Sequence, residues 1–190
     1  MNFTYYGHSC FTVETAQHTL LFDPFISGNP QAAVIDLHSL KADYVLVSHG
    51  HQDHMLDAVA IANRTGATII AAYEVAVWLA KQSARKTHPI NHGSTLFDFG
   101  RLRYVNAIHS SSLPDGSYGG NPGGFVVETA EGNFYYSGDT ALTKDMELIS
   151  AAGPLAFAAL CIGGNFTMGV RQNSSAKPSA PGNRCERHEH

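Results

Sequence analysis

The sequence predicts an α/β fold built on mixed β-sheets, and three observations predict it. Over residues 44–84 the pattern runs strand, helix, strand, helix, the order of a βαβ unit with parallel neighbouring strands. Residues 2–22, 95–108 and 125–137 instead hold short runs rich in β-branched and aromatic residues, separated by turn residues, which is hairpin and meander chemistry. A chain of 190 residues that is 44% hydrophobic and 15% charged is the size of one domain and has enough apolar surface to bury a core.

Taken in order, residues 2–6, 10–15 and 18–22 open the fold as a meander interrupted by Gly7-His8-Ser9 and Ala16-Gln17. Pro24 stops the third strand because it has no N–H to donate to a ladder. Residues 26–43, with Ser27-Gly28-Asn29-Pro30, read as a loop containing one short helical turn. Strand 44–47 follows, then a helix over 55–64 with Met55, Val59 and Ala62 on one face and Gly66 at its end. Thr68-Ile69-Ile70-Ala71 is a buried type of strand, and a helix from Tyr73 to Ala84 turns Val75, Trp78 and Leu79 to the core. His88-Pro89-Ile90-Asn91-His92-Gly93 reads as a turn-rich connection, in which Pro89 and Gly93 exclude a helix that would align the two His on a metal.

A hairpin over 95–99 and 102–108 turns at Gly100-Arg101, and the following loop runs from Ser110 to Gly124. A loop of that length either borders a substrate or is a mobile connection. Residues 125–129 and 133–137 pair around Glu131-Gly132. A helix over 143–152 ends at Pro154, and the apolar strand 155–162 leads into Gly163-Gly164-Asn165, which returns the chain toward the site.

The chemistry concentrates in Ser48-His49-Gly50-His51-Gln52-Asp53-His54, a tight loop between strand 44–47 and the next helix. Extended backbone sends His49 and His51 the same way, and Gly50 between them offers no side chain to resist the turn. Two rings then converge on one cation; imidazole nitrogens hold zinc at about 2.0–2.1 Å, and an open site needs roughly three protein ligands and a water. Asp53 and His54 follow closely enough to serve a second cation. His109, entering a polar glycine-rich loop at a strand end, is the natural third ligand. Asp139, in Gly138-Asp139-Thr140 after strand 133–137, is either the N-cap of the following helix or a carboxylate bridging two cations. For such parallel strands the ligand site lies beyond the carboxyl ends, where the His-rich loop sits.

The His-x-His-x-Asp-His pattern resembles the signature of the metallo-β-lactamase superfamily. Gly7-His8-Ser9-Cys10, Asp23-Pro24-Phe25, Gly138-Asp139-Thr140 and Asn165-Phe166-Thr167-Met168-Gly169 resemble its small bacterial metal-dependent hydrolase branch, related to the sugar-lactone hydrolases. The resemblance covers residues 1 to about 170. It implies a four-layer αββα sandwich of two mixed sheets with helices outside, His109 as a ligand, Asp139 as the bridging carboxylate, Asp23 supporting a metal-binding His, and His8 and Asn165 lining the pocket. The implied activity is metal-dependent hydrolysis of a small ester, lactone or phosphoester by an activated water, with Asp53 orienting the nucleophile or accepting its proton. Zinc is the expected metal, as one or two ions, with manganese or iron suited to sites that carboxylates join.

The composition narrows the partners. A net charge of −4 without a Lys/Arg run argues against nucleic acid, and no apolar stretch reaches the roughly 18 residues a membrane span needs, so a small-molecule substrate is expected, with an oligomer left open. Cys10, Cys161 and Cys185 are odd in number and widely spaced, which fits a reducing cytoplasm better than a disulfide framework. No secretory signal is visible at the N-terminus.

Beyond residue 170 the character changes to Gln172-Asn173-Ser174-Ser175-Ala176-Lys177-Pro178, as a shifted reading frame or cloning remnant would produce, and 171–190 is expected to be disordered. The domain is then 1–170, incomplete at its C-terminal side. In the resembled family a last strand supplies a final His to the second metal position. Without it the alternative function is a metal-binding protein with weak or no hydrolase activity. His188 and His190 lie on a tail that must lose entropy to reach the site.

Overall fold

The structure, a computed structural model, describes residues 1–173 and the strand Arg184–Arg187. It divides into two compact units, Met1–Asn91 with Ser111–Asn121, and His92–Ser110 with the residues from Pro122 onward. Each carries one six-stranded mixed sheet, so the α/β class with two mixed sheets and helices is as the sequence predicts.

The first unit's sheet runs in chain order: β1 (Asn2–Gly7), β2 (Cys10–Glu14), β3 (Thr19–Phe22), β4 (Tyr44–Val47), β5 (Thr68–Ala72) and β6 (Thr87–Ile90). β1–β2–β3 is the antiparallel meander, and β3 through β6 are parallel. Val45, Leu46, Val47, Ile69 and Ile70 are wholly buried, as continuous apolar runs in parallel strands require. Two 3-10 turns, Pro30–Ala32 and Leu37–Ser39, fill the connection from β3 to β4.

The helix expected over 55–64 is broken in two, α1 (Gln52–Met55) and α2 (Ala58–Thr65). The break falls at Asp57, whose N–H leaves the helical ladder for the Pro24 carbonyl at 3.1 Å and whose carboxylate accepts the Ile26 and Ser27 amides at 2.7 and 2.9 Å. Gly66 ends α2 in the left-handed conformation, as predicted. α3 (Tyr73–Lys81) is shorter than the 73–84 expected. The turn-rich reading of 88–93 is corrected by β6, which pairs with β5 through Pro89 itself; β6 is the sheet edge, where a missing N–H breaks no ladder.

The second unit's sheet has the order β12-β11-β10-β9-β8-β7, with β7 (Gly93–Phe97), β8 (Gly100–Asn106), β9 (Gly123–Thr129), β10 (Gly132–Tyr136), β11 (Leu155–Leu160) and β12 (Arg184–Arg187). β7 to β10 are antiparallel and β10–β11–β12 parallel. The first hairpin turns at Asp98-Phe99, two positions earlier than expected, because Phe97 pairs with Gly100. Residues Lys144–Ala152 form 3-10 helix rather than α-helix, capped by the Thr143 hydroxyl accepting the Asp145 amide at 3.3 Å. Val126, Tyr135, Ile149, Leu155, Leu160 and Met168 pack together as this unit's core.

The expectation of disorder over 171–190 is corrected at two places. Val170–Asn173 forms a helical turn, α4, and Arg184–Arg187 pairs with β11 by its backbone, which needs no apolar side chains at a sheet edge. The rest of that expectation, His188 and His190 included, lies outside the described residues. Among the described residues no helix is long and apolar enough to cross a membrane.

Candidate metal centre

In the first unit the parallel strands deliver their carboxyl ends to one place, and Asp23, His49, His51, Asp53 and His54 stand in the segments that leave them. β3 ends at Asp23 and β4 at Ser48-His49, and the Asp23 N–H bonds the Leu46 carbonyl at 3.0 Å. Asp23, Ser48, His49 and His54 are all 0% exposed. Such a group survives burial only if each polar atom finds a partner.

The partners form one chain centred on the Asp23 carboxylate. Its Oδ1 accepts the Ser48 N–H at 2.7 Å, and its Oδ2 accepts the Ser48 hydroxyl at 2.6 Å and the His54 Nδ1–H at 2.8 Å. With its proton committed to Asp23, Ser48 Oγ accepts from His49 Nδ1 at 2.9 Å. Both rings are thereby fixed in the tautomer that leaves Nε2 as a lone pair, the form a metal-ligating His takes when its other nitrogen is held by a carboxylate. Asp23 thus contacts the His54 ring directly and the His49 ring through Ser48. Asp23 sits at φ 40°, a conformation that Asp tolerates better than most residues.

The donor set fits a divalent cation. His49 Nε2 and His51 Nδ1 lie 2.9 Å apart, close to the roughly 3.3 Å separating two nitrogens that share one tetrahedral zinc. One ligand atom from each of Asp23, His49 and His54 falls within 4.8 Å of the others, as does one from each of His8, Asp53 and His54. His8, at φ 54° in the β1–β2 turn, has its carbonyl held by the Tyr5 hydroxyl at 2.9 Å and its Nε2 3.2 Å from Asp53 Oδ2. The His8 hydrogen bond holds the Asp53 carboxyl well below the usual carboxylate range, opposed by burial. Asp53 is half exposed and so open to a substrate.

The second unit brings His109 and Asp139 together, with His109 Nε2 3.8 Å from Asp139 Oδ2. The Thr140 hydroxyl accepts the Ile108 amide at 2.9 Å, and the Ala141 N–H bonds the Ile108 carbonyl at 3.0 Å, stitching the segment after β8 to the segment after β10. Thr143, not Asp139, caps the following 3-10 helix, so the capping alternative for Asp139 is set aside. Asn165 is exposed in a loop closed by the Gly163–Gly169 bridge, which returns to Thr140 through the Met168 amide at 2.8 Å.

Sequence reasoning missed Ser48, Asp57 and Thr140. A serine before the first ligand and an aspartate four residues after Asp53 were the available signals, but each is common in loops and helix starts. Their partners come from segments 25 to 32 residues away.

The comparisons with known proteins give the family. Residues 18–168 match the beta-lactamase superfamily domain. A UPF0173 metal-dependent hydrolase of Flavobacterium johnsoniae is 54% identical over 90% of this chain and 76% of its own length, and one of Methylacidiphilum infernorum is 53% identical over the same shares. Igni18, a novel metallo hydrolase from the hyperthermophilic archaeon Ignicoccus hospitalis, superposes with a TM-score of 0.76 at 29% identity, over 92% of this chain and 76% of that one. The chain therefore belongs to the beta-lactamase superfamily and, within it, to the family of UPF0173 metal-dependent hydrolases.

Proposed function

We propose that this chain cleaves a small ester, lactone or phosphoester with water, using one or two divalent cations of which zinc is the first choice and manganese or iron the alternatives. His49, His51 and His109 would hold the first cation, and Asp53, His54 and Asp139 the second. A cation bound there would supply Lewis acidity, lowering the pKa of water toward about 7 and polarising the scissile oxygen.

The protein's part is orientation and proton handling. Asp23 and Ser48 keep His49 and His54 in the metal-ready tautomer. Asp53, kept ionised by the hydrogen bond from His8, would orient the attacking water or accept its proton. His8 closes that side of the site with its edge toward Phe25, the two ring centroids 5.6 Å apart. We place the chain in the reducing cytoplasm, supported by Cys10 and Cys161, which are buried thiols outside any disulfide among the described residues and pushed to high pKa by that burial.

The observation that carries the reading is the chain His49–Ser48–Asp23–His54, since two buried imidazoles with lone pairs preset by one carboxylate have no simpler use. The test is metal analysis and turnover on a panel of lactone, aryl ester and phosphodiester, before and after chelation. Near two metals per chain, with turnover lost on chelation and restored by zinc, supports it. Turnover indifferent to chelation overturns it, and metal uptake without turnover leaves the metal-binding alternative.

A further inference from the structure

The loop Ser111–Asn121 belongs to the same compact unit as the His49–His51 loop. Its first residue, Ser111, is 6% exposed. The Ser111 hydroxyl accepts the Gly50 N–H at 3.0 Å and donates to the Gly119 carbonyl at 3.0 Å, while the Gly119 N–H returns to the Ser111 carbonyl at 2.7 Å. Ser112 and Tyr118 bridge above this closure, and the Leu113 amide bonds the Ser117 carbonyl at 2.9 Å.

Packing repeats what the hydrogen bonds say. A Cβ on Gly50 would stand 3.1 Å from Leu113 Cδ2 and 3.3 Å from Ser111 Oγ, and one on Gly119 would stand 2.6 Å from the Ser111 carbonyl oxygen. The loop is seated on the one residue between His49 and His51; a side chain at Gly119 would clash with the Ser111 backbone, and one at Gly50 would press on the Leu113 and Ser111 side chains.

We infer that Ser111 is a positioning residue of the metal centre. Its hydroxyl fixes the His49–Gly50 peptide and with it the spacing of the two rings on either side. The inference rests on the reading that His49 and His51 hold a cation. Glycine has no Cβ to restrict its torsions, so the order of this peptide must come from outside it. Ser111 is the buried acceptor that supplies it, two residues after His109.

The experiment uses the full chain, with cobalt(II) as probe in chelator competition and its d–d spectrum recorded at saturation. Ser111→Ala removes the acceptor. Ser111→Thr keeps it. Ser117→Ala loosens the same loop at its tip, where the Ser117 hydroxyl bonds Asp115 Oδ1 at 2.6 Å, without touching Gly50. The expected result is a loss of about 10–100-fold in cobalt affinity with an altered spectrum for Ser111→Ala, and values within about threefold of wild type for the other two.

Equal cobalt affinity and an equal spectrum in wild type and Ser111→Ala overturn the inference, as does an equal loss in Ser117→Ala. Hydrogen exchange at the Gly50 amide of the unmutated chain is a second measurement independent of any variant's folding. Slow exchange is expected, and exchange at the rate of an exposed loop amide overturns the inference. A wild-type chain that takes up no cobalt removes the metal reading itself, a failure distinct from a wild type that binds and a Ser111→Ala that binds as well.

Discussion

Replacing Asp23 by asparagine tests the site where its argument is most exposed. Asparagine is nearly isosteric and tolerates the φ of 40° that position 23 requires, so the backbone has no reason to move. The acceptor count does change. Asp23 takes hydrogen bonds from the Ser48 amide, the Ser48 hydroxyl and His54 Nδ1 at 2.7, 2.6 and 2.8 Å. An amide keeps one oxygen for the Ser48 N–H and turns an NH2 toward the other two partners. His54 Nδ1 must then accept, which moves its proton to Nε2. The Ser48 hydroxyl, no longer able to donate to position 23, donates to His49 Nδ1 instead and flips that ring too.

Two lone pairs aimed at the cation become N–H groups, and restoring either one sets donor against donor in a site with no exposure. At about 1–3 kcal/mol for each mismatched buried group, the two together weaken metal binding by at least about thirtyfold. The metal-free fold is expected to lose only about 1–3 kcal/mol, because the Ser48 amide, the Ser48 hydroxyl and His54 Nδ1 each keep a hydrogen-bond partner. Cobalt(II) competition measures the first quantity and urea unfolding in chelator the second. Ser48→Ala, which spares the His54 bond, is expected to fall between wild type and Asp23→Asn. Cobalt binding by Asp23→Asn within threefold of wild type would refute the tautomer argument.

Three further outcomes follow from single contacts. Asp57→Ala strands the Ile26 and Ser27 amides, which lie 2.7 and 2.9 Å from its carboxylate, and should cost about 3 kcal/mol by urea unfolding; a loss under about 1 kcal/mol would mean these donors re-pair. Gly100→Ala places a Cβ 2.0 Å from the Glu128 carbonyl oxygen at a φ of +133°, and should lower stability by about 3 kcal/mol or more; an unchanged Tm would contradict that geometry. The Asp115 carboxyl is held down to about 2 by the Ser117 hydroxyl and amide and by the Trp78 indole, whose Nε1–H lies 2.9 Å from it. A depressed carboxyl contributes fully above the ordinary value near 3.9 and loses its contribution as pH falls through about 2, so emission from Trp78, the chain's one tryptophan, should stay constant to about pH 3 and change near pH 2. A change centred near pH 4, or one that persists in Asp115→Asn, would break the link.

What the sequence disclosed and what it hid divide along sequence distance. The His49–His54 cluster was legible because ligand types at tight spacing after an apolar strand have few other uses, and Gly66 because a glycine beyond a periodic run is a helix stop. The break at Asp57 was not, because the amides that pull it out of the helix belong to residues 26 and 27, and 55–64 keeps its helical period regardless. β6 was hidden by Pro89, which reads as a breaker until the strand is known to lie at an edge. Arg184–Arg187 has no apolar period at all; its pairing is settled by the free side of β11.

The buried carboxylate also decides how the ligands are ordered before any cation arrives. An ionised group moved to an interior is costly unless its hydrogen bonds are complete, and Asp23 sits at 0% exposure. Its charge is met by the Ser48 amide and hydroxyl and by His54, all supplied by the strand end and first helix of the same unit. No cation is needed to make that burial tolerable. Small metal-driven domains gain their ligand geometry only on loading, so that binding and folding become one transition. Here the strand ends converge because β3 and β4 pair in parallel, the carboxylate is satisfied because Ser48 and His54 follow within one loop, and the imidazole lone pairs are what that arrangement leaves over. Metal binding is then an addition to a fold already formed, and its contribution to stability is the simple linkage term for a ligand that binds only the native state.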